Sequence, residues 1–255
     1  AEHPEHAAAR HNLGSALMQK GDLDGAIAVY RDLLARAEGT ADDHYNLGMA
    51  LKQKDAFAEA EAELRKAVAL DATLPEPHFT LGVVLWQTGR ADEALKSFDD
   101  AIAQKAAYAE AHYMRATVLK QQGRLDEAIA GFREAIRHQP ASAEAHLSLG
   151  QALQQKRDPA AAESLAEADR LNKKKADAQA AAFALSAGRG KMGKGDVAGA
   201  IASFREAVRL APESADAHFQ LGLALRKQGA TGEARRHFDE ARRLAPYLEP
   251  PGPTD

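Results

Sequence analysis

Nothing constrains this chain more than its period. A landmark such as Leu13-Gly14 returns thirty-four residues on at Leu47-Gly48, and then at Leu81-Gly82, Arg115-Ala116 and Leu149-Gly150. After a four-residue insertion it returns at Ala187-Gly188 and Leu221-Gly222. Seven units result, over residues 7–40, 41–74, 75–108, 109–142, 143–176, 181–214 and 215–248. A second landmark, Ala-x-x-x-aromatic, recurs as Ala26/Tyr30, Ala94/Phe98, Ala128/Phe132, Ala200/Phe204 and Ala234/Phe238, and Pro140, Pro212 and Pro246 close several units. Self-similarity on this scale belongs to arrays in which no single unit can bury its own apolar face, so neighbours must stack.

Each unit reads as two amphipathic helices. In the last one Phe219, Leu221, Leu223, Ala224 and Leu225 fall mainly at helical spacings, Gly229 breaks the run, and a second helix carries Ala234, Phe238 and Ala241. Small residues at Gly222 and Ala234 let the two backbones approach while Phe238 fills the space beside them. Glycines 21, 89, 123, 195 and 229 stand where the chain must reverse, a place suited to positive φ. Asp92-Glu93 and Asp126-Glu127 open second helices and complement the helix dipole, and Asp158-Pro159 reads as an N-cap with a first-turn proline. Units five and six are offset by 38 residues, with Ala166 and Lys174 replacing the usual aromatic and proline, so packing across that junction should be the weakest in the array.

Composition narrows the function classes. Thirty-three Lys and Arg against thirty-seven Asp and Glu leave a net charge of −4, which offers no general attraction to phosphate backbones, so nucleic acid is not an expected partner. No apolar run reaches the roughly 20 residues of a membrane span, and no membrane insertion is expected. With no cysteine, thiolate catalysis and Cys-based metal sites drop out. The chain opens at Ala1 with neither initiator Met nor signal peptide, which leans toward a processed bacterial extracytoplasmic protein, periplasmic or secreted. Residues 1–248 read as one elongated domain, followed by a proline-rich tail over 249–255.

Two features invite a chemical reading. His44, His78, His112, His146 and His218 hold the fourth place of five units, but first helices packed about 8 to 10 Å apart do not let two imidazoles reach one ion at about 2.0 Å. The expected role is a half-buried ring packed on a neighbouring helix with one nitrogen in solvent. His3, His6 and His11 cluster near the N-terminus at spacing poor for one helix face. Between Gly188 and Gly195, Gly-Arg-Gly-Lys-Met-Gly-Lys-Gly approaches a phosphate loop, yet Gly195 stands where that loop needs Ser or Thr, and no strand precedes it. Its extra glycines, Gly190 and Gly193, predict a weak helix in a basic stretch with Lys173, Lys174 and Lys175. No nucleophile, base and acid share a fitting context, so neither enzyme activity, cofactor nor metal is expected.

The offsets of Leu-Gly, Ala-x-x-x-aromatic and Pro within 34 residues resemble the tetratricopeptide repeat family of bacterial type, over nearly the whole chain. The resemblance implies an all-α, right-handed superhelical α-solenoid of about seven helix-turn-helix units whose first helices line a concave groove. It implies a noncatalytic protein–protein interaction scaffold that binds a peptide or helix there. The groove positions become Tyr45, Phe79, Tyr113 and Phe219 in an aromatic stripe, Gln53, Gln87 and Gln121 in a glutamine ladder, and Lys52, Trp86 and Lys120 beside it. Lys at the fifth and Asn at the ninth place, which clamp a chaperone's carboxyl terminus in related arrays, are absent; an asparagine ladder stops after Asn12 and Asn46. Trp86 reads either as the partner's anchor or as packing between first helices. Two alternatives stand beside the scaffold. One is head-to-tail self-assembly through uncapped ends, around Leu13, Leu17 and Ala26 at one end and Leu225, Phe238 and Leu244 at the other. The other is the regulatory or substrate-recruiting arm of a larger enzyme.

Overall fold

The computed structural model describes residues 4–36 and 39–247, with side chains from residue 7 onward. His3, the His6 side chain and the tail 249–255 lie outside the described residues. The described chain is helical throughout: α1 (Pro4–Lys20), α2 (Leu23–Arg36), α3 (Ala41–Gln53), α4 (Phe57–Leu70), α5 (Pro75–Gln87), α6 (Ala91–Gln104), α7 (Ala109–Gln121), α8 (Leu125–His138), α9 (Ala143–Gln155), α10 (Ala161–Gly193), α11 (Val197–Leu210), α12 (Ala215–Lys227) and α13 (Thr231–Leu244). They pack as two compact bodies, Ala1–Ala168 and Asp169–Asp255. Each is an α-solenoid of paired helices. In the first, α1 to α8 form four pairs and α9 pairs with the opening of α10; in the second, the end of α10 pairs with α11, and α12 with α13.

Within a pair, absence of a side chain on one helix is matched by bulk on the other. A Cβ added to Gly82 would fall 2.7 Å from the Phe98 ring, so the ring occupies the volume that glycine leaves open. Tyr30 and Phe204 fill the space beside Gly14 and Gly188 likewise, and Tyr30, Phe98, Phe132 and Phe204 are all fully buried. Such tight packing makes each ring a large contributor, since truncating a buried Phe to Ala costs about 3–5 kcal/mol.

The reversal inside each unit holds positive φ in all seven cases. Gly21, Gly89, Gly123, Gly195 and Gly229 have φ between 76° and 89°, as their residue type predicts. Units two and five make the same turn with Asp55 at 58° and Arg157 at 56°, where a Cβ adds strain. The turn geometry is therefore set by the pair it joins, and glycine only relieves it.

Between the fifth and sixth units the structure departs from the expected turn. Helix α10 runs unbroken for 33 residues. The stretch Asn172 to Ala180 contains neither Gly nor Pro and is mostly Ala, Lys and Gln, so nothing in it stops a helix. Residues 172–176 and 178–180 are exposed, and Lys174 pairs with Glu213 at 3.6 Å. The glycines at 190 and 193 do not interrupt it either.

The start of α10 corrects one further expectation. Asp158 accepts from the Ala160 N–H at 2.9 Å, the bond an N-cap makes, with Pro159 between them, and regular helix begins at Ala161. The register of the buried face moves by one residue. Leu165, not Ala166, takes the aromatic's place against Gly150, 2.7 Å from an added Cβ, with Ala161 and Ala168 buried on either side.

At the ends, Ala26, Leu225 and Phe238 are buried inside their own pairs, while Leu13 is 50% exposed. On α13 the two places that carry Ile129 and Ile136 in α8 hold exposed Arg235 and Arg242. This face of α13 is therefore polar.

Candidate functional site: the first-helix face

The residues that the sequence assigns to the groove sit on α3, α5 and α7 of the first body and α12 of the second. Tyr45, Phe79, Tyr113 and Phe219 are half-buried, and the last three rest on the core ring of their own unit. Phe79 lies 5.9 Å from Phe98 and 5.1 Å from Tyr108, Tyr113 lies 5.7 Å from Phe132, and Phe219 meets Phe238 at 5.7 Å. Burial pushes the phenols of Tyr45 and Tyr108 above their usual range, so both stay neutral O–H groups. The stripe is therefore fixed in place by packing on one side and open on the other, which preorganises it for contact.

Hydrogen bonds tie successive first helices together across this face. Trp86 packs half-buried on the core and donates from Nε1 to Gln121 Oε1 at 2.9 Å. Lys120 donates from Nζ to Gln151 Oε1 at 2.7 Å, and Tyr113 Oη lies 3.3 Å from Ser148 Oγ. Burial lowers the Lys120 pKa, marking it as a cation that would gain from an incoming carboxylate. Gln53 and Gln87 are exposed, and Lys52 is half-buried. The structure thus brings Trp86, Gln121, Lys120 and Tyr113 into one linked surface. Phe219 belongs to the other body and has only its own neighbours there.

The histidines do something the sequence reading missed. His78, His112, His146 and His218 each donate from Nε2 to the carbonyl six residues earlier, at Ala72, Ala106, Pro140 and Pro212, over 3.0 to 3.1 Å. A backbone carbonyl only accepts, so each ring carries its proton on Nε2. The nitrogen expected to meet solvent instead latches the turn between units. In unit seven the other nitrogen faces the unit's own second helix, with His218 Nδ1 3.0 Å from His237 Nδ1. His44 turns its Nδ1 to Glu63 at 2.6 Å. Among the described residues no three His, Asp or Glu side chains converge as a metal site would need. The signal was available, because histidine fills the fourth place only in the five units that follow a turn; unit one has Arg10 and unit six Ala184 there.

The basic glycine-rich stretch is likewise occupied by structure. Arg189 pairs with Asp216, and Lys191 donates to Ser203 Oγ at 3.0 Å.

The family model described as tetratricopeptide repeat matches residues 1–41, 45–111, 79–136, 113–181 and 185–249. The chain is a tetratricopeptide repeat protein. Solved tetratricopeptide-type structures agree with the fold. Two structures of MamA align with TM-score 0.61: one at 29% identity, over 64% of this chain and 96% of that one, the other at 27%, over 68% and 96%. The Pseudomonas aeruginosa pilF structure, at 17% identity and TM-score 0.55, covers 96% of this chain and is itself covered over 94%, showing fold alone. No curated protein matches the chain. Membership assigns a protein-interaction role in general terms. No described helix is long and apolar enough to cross a membrane.

Proposed function

We propose that the first-helix face of the first body binds an extended peptide or a helix of a partner protein, with Trp86 as the anchor. The observation that carries this reading is the state of Trp86. Its indole N–H is already satisfied by Gln121, so the ring can be covered without stranding a donor, and its half-buried position holds one rotamer in advance of binding. Large, rigid aromatics set this way are typical binding hot spots. Lys52 and Lys120 occupy the same helical place in the units before and after, which favours a partner carrying carboxylates on either side of an apolar residue. Tyr45, Phe79 and Tyr113 supply the apolar floor, and Gln53 and Gln87 offer amides to a peptide backbone. In the second body Phe219 is a separate aromatic of the same kind.

Because Trp86 is the single tryptophan, intrinsic fluorescence reports directly on this spot. An acidic-aromatic-acidic peptide should shift Trp86 emission to the blue, and Trp86→Ala should weaken its binding by about 2 kcal/mol or more. Unchanged affinity per folded molecule in Trp86→Ala, with a large fall in melting temperature, would assign the ring to packing alone.

A further inference from the structure

The third place of the first helix is buried wherever a second helix precedes it. Asp43, Ala111, Ala145 and Ala217 are 0 to 7% exposed, and Pro77 is also buried. These are the faces that α2, α4, α6, α8 and α11 cover when they pack on α3, α5, α7, α9 and α12. In the sixth unit that place holds Phe183, and it is 79% exposed. The cause is local. Residues 181–193 continue the same helix that precedes them, and a straight helix cannot fold back to cover its own side. Phe183 stands at the rim of an open groove of about 520 Å³ between α10 and α11, lined also by Ala180, Ala187, Ala202 and Leu210.

We propose that this groove is a docking site for one amphipathic helix of a partner protein, seated as a second helix seats in the array. The five regular junctions specify its chemistry. The second helices that seat α3, α7, α9 and α12 carry two aliphatic residues seven apart: Ile27 and Leu34, Leu95 and Ile102, Ile129 and Ile136, Ile201 and Val208. The occupant therefore presents Leu, Ile or Val at i and i+7. Helices joined by tight turns run antiparallel, so the occupant's C-terminus points toward the start of this segment. There Lys173, Lys174 and Lys175 are exposed, and cations complement a helix C-terminus. A second copy of this chain is a poor source. The corresponding places on the opening of α10, in its shifted register, are exposed Ala162 and Asp169, and those on α13 are Arg235 and Arg242. Every aliphatic pair named above already seats a first helix.

This inference stands apart from the Trp86 reading, because different residues in a different body carry it. The probe is a side-chain-stapled helical peptide of residues 125–139, whose Ile129 and Ile136 seat α9 in the protein. It should bind the full chain in fluorescence anisotropy. Affinity should fall at least tenfold with Phe183→Glu, and at least tenfold when both isoleucines of the peptide become arginine. Phe183→Glu should leave the melting temperature unchanged, since the ring is exposed. Absence of binding, or equal binding to Phe183→Glu, would overturn the proposal. A concentration-dependent increase in mass that Phe183→Glu abolishes would overturn it too, by making a second copy the occupant.

Discussion

Five junctions of this protein turn between units and one does not, and the contrast isolates what a turn needs. At the five, a second helix with an aliphatic or mixed downstream face packs on the next first helix, and at four of them a histidine holds the intervening carbonyl. At the sixth, Ala162 and Asp169 offer no aliphatic face, Ala184 offers no imidazole, and four added residues favour helix. The chain then takes the conformation its local propensity prefers. Turn or rod is thus decided by tertiary partners together with the helix propensity of the connecting residues.

The contrast is sharpest in the aromatics. Phe132, fully buried in a regular pair, should cost about 3–5 kcal/mol on truncation to Ala in denaturant unfolding. Phe183, at the orphan junction, should cost within about 0.5 kcal/mol for the same change. Comparable losses at both sites would break the comparison.

The histidine latch is the next largest difference. His146→Ala should destabilise by about 1 kcal/mol, leaving the Pro140 carbonyl to water. Ala184→His should add nothing, because the carbonyl six residues earlier, at Ala178, is inside a helix.

The seventh unit adds a pH dependence. Burial, and then the neighbouring charge of His218, lower the His237 pKa below its usual 6.5. His218 donates from Nε2 to Pro212, so its Nδ1 accepts from His237 Nδ1–H. The folded state therefore resists protonation more than the unfolded state does. Stability is fully present above about pH 6.5 and falls as pH drops through that value toward the depressed folded value. Thermal melts at pH 7.5 and 5.5 should differ in the second body, and His237→Phe should shrink the difference.

How much of this was legible beforehand follows the same division. The helix pairs, the reversal glycines and the core rings are imposed by a local requirement repeated every 34 residues, so the period displays them. Leu165 was not legible, because the period counts residues, whereas α10 starts where Asp158 and Pro159 let it start. The unbroken helix was hidden for a related reason: an insertion looks like a loop until the absence of Gly, Pro and a fourth-place histidine is weighed together. At the candidate site, the sequence places Trp86, Gln121 and Lys120 on one face. The Trp86–Gln121 bond depends on rotamers and on the spacing of two helices, which sequence does not state.

The smallest expected effect lies in the strained turns. Arg157→Gly should stabilise by a few tenths to about 1 kcal/mol, against a loss of similar size for Gly123→Ala, measured as shifts in denaturant midpoint.

The rod itself is open to direct measurement. Spin labels at exposed positions 166 and 186 flank the bare span of α10. A continuous helix places twenty residues about 30 Å apart along its axis, so pulsed electron–electron resonance should give a single narrow distance near that value. A distance of roughly 10–15 Å, as two helices packed side by side across a turn would give, would contradict the account.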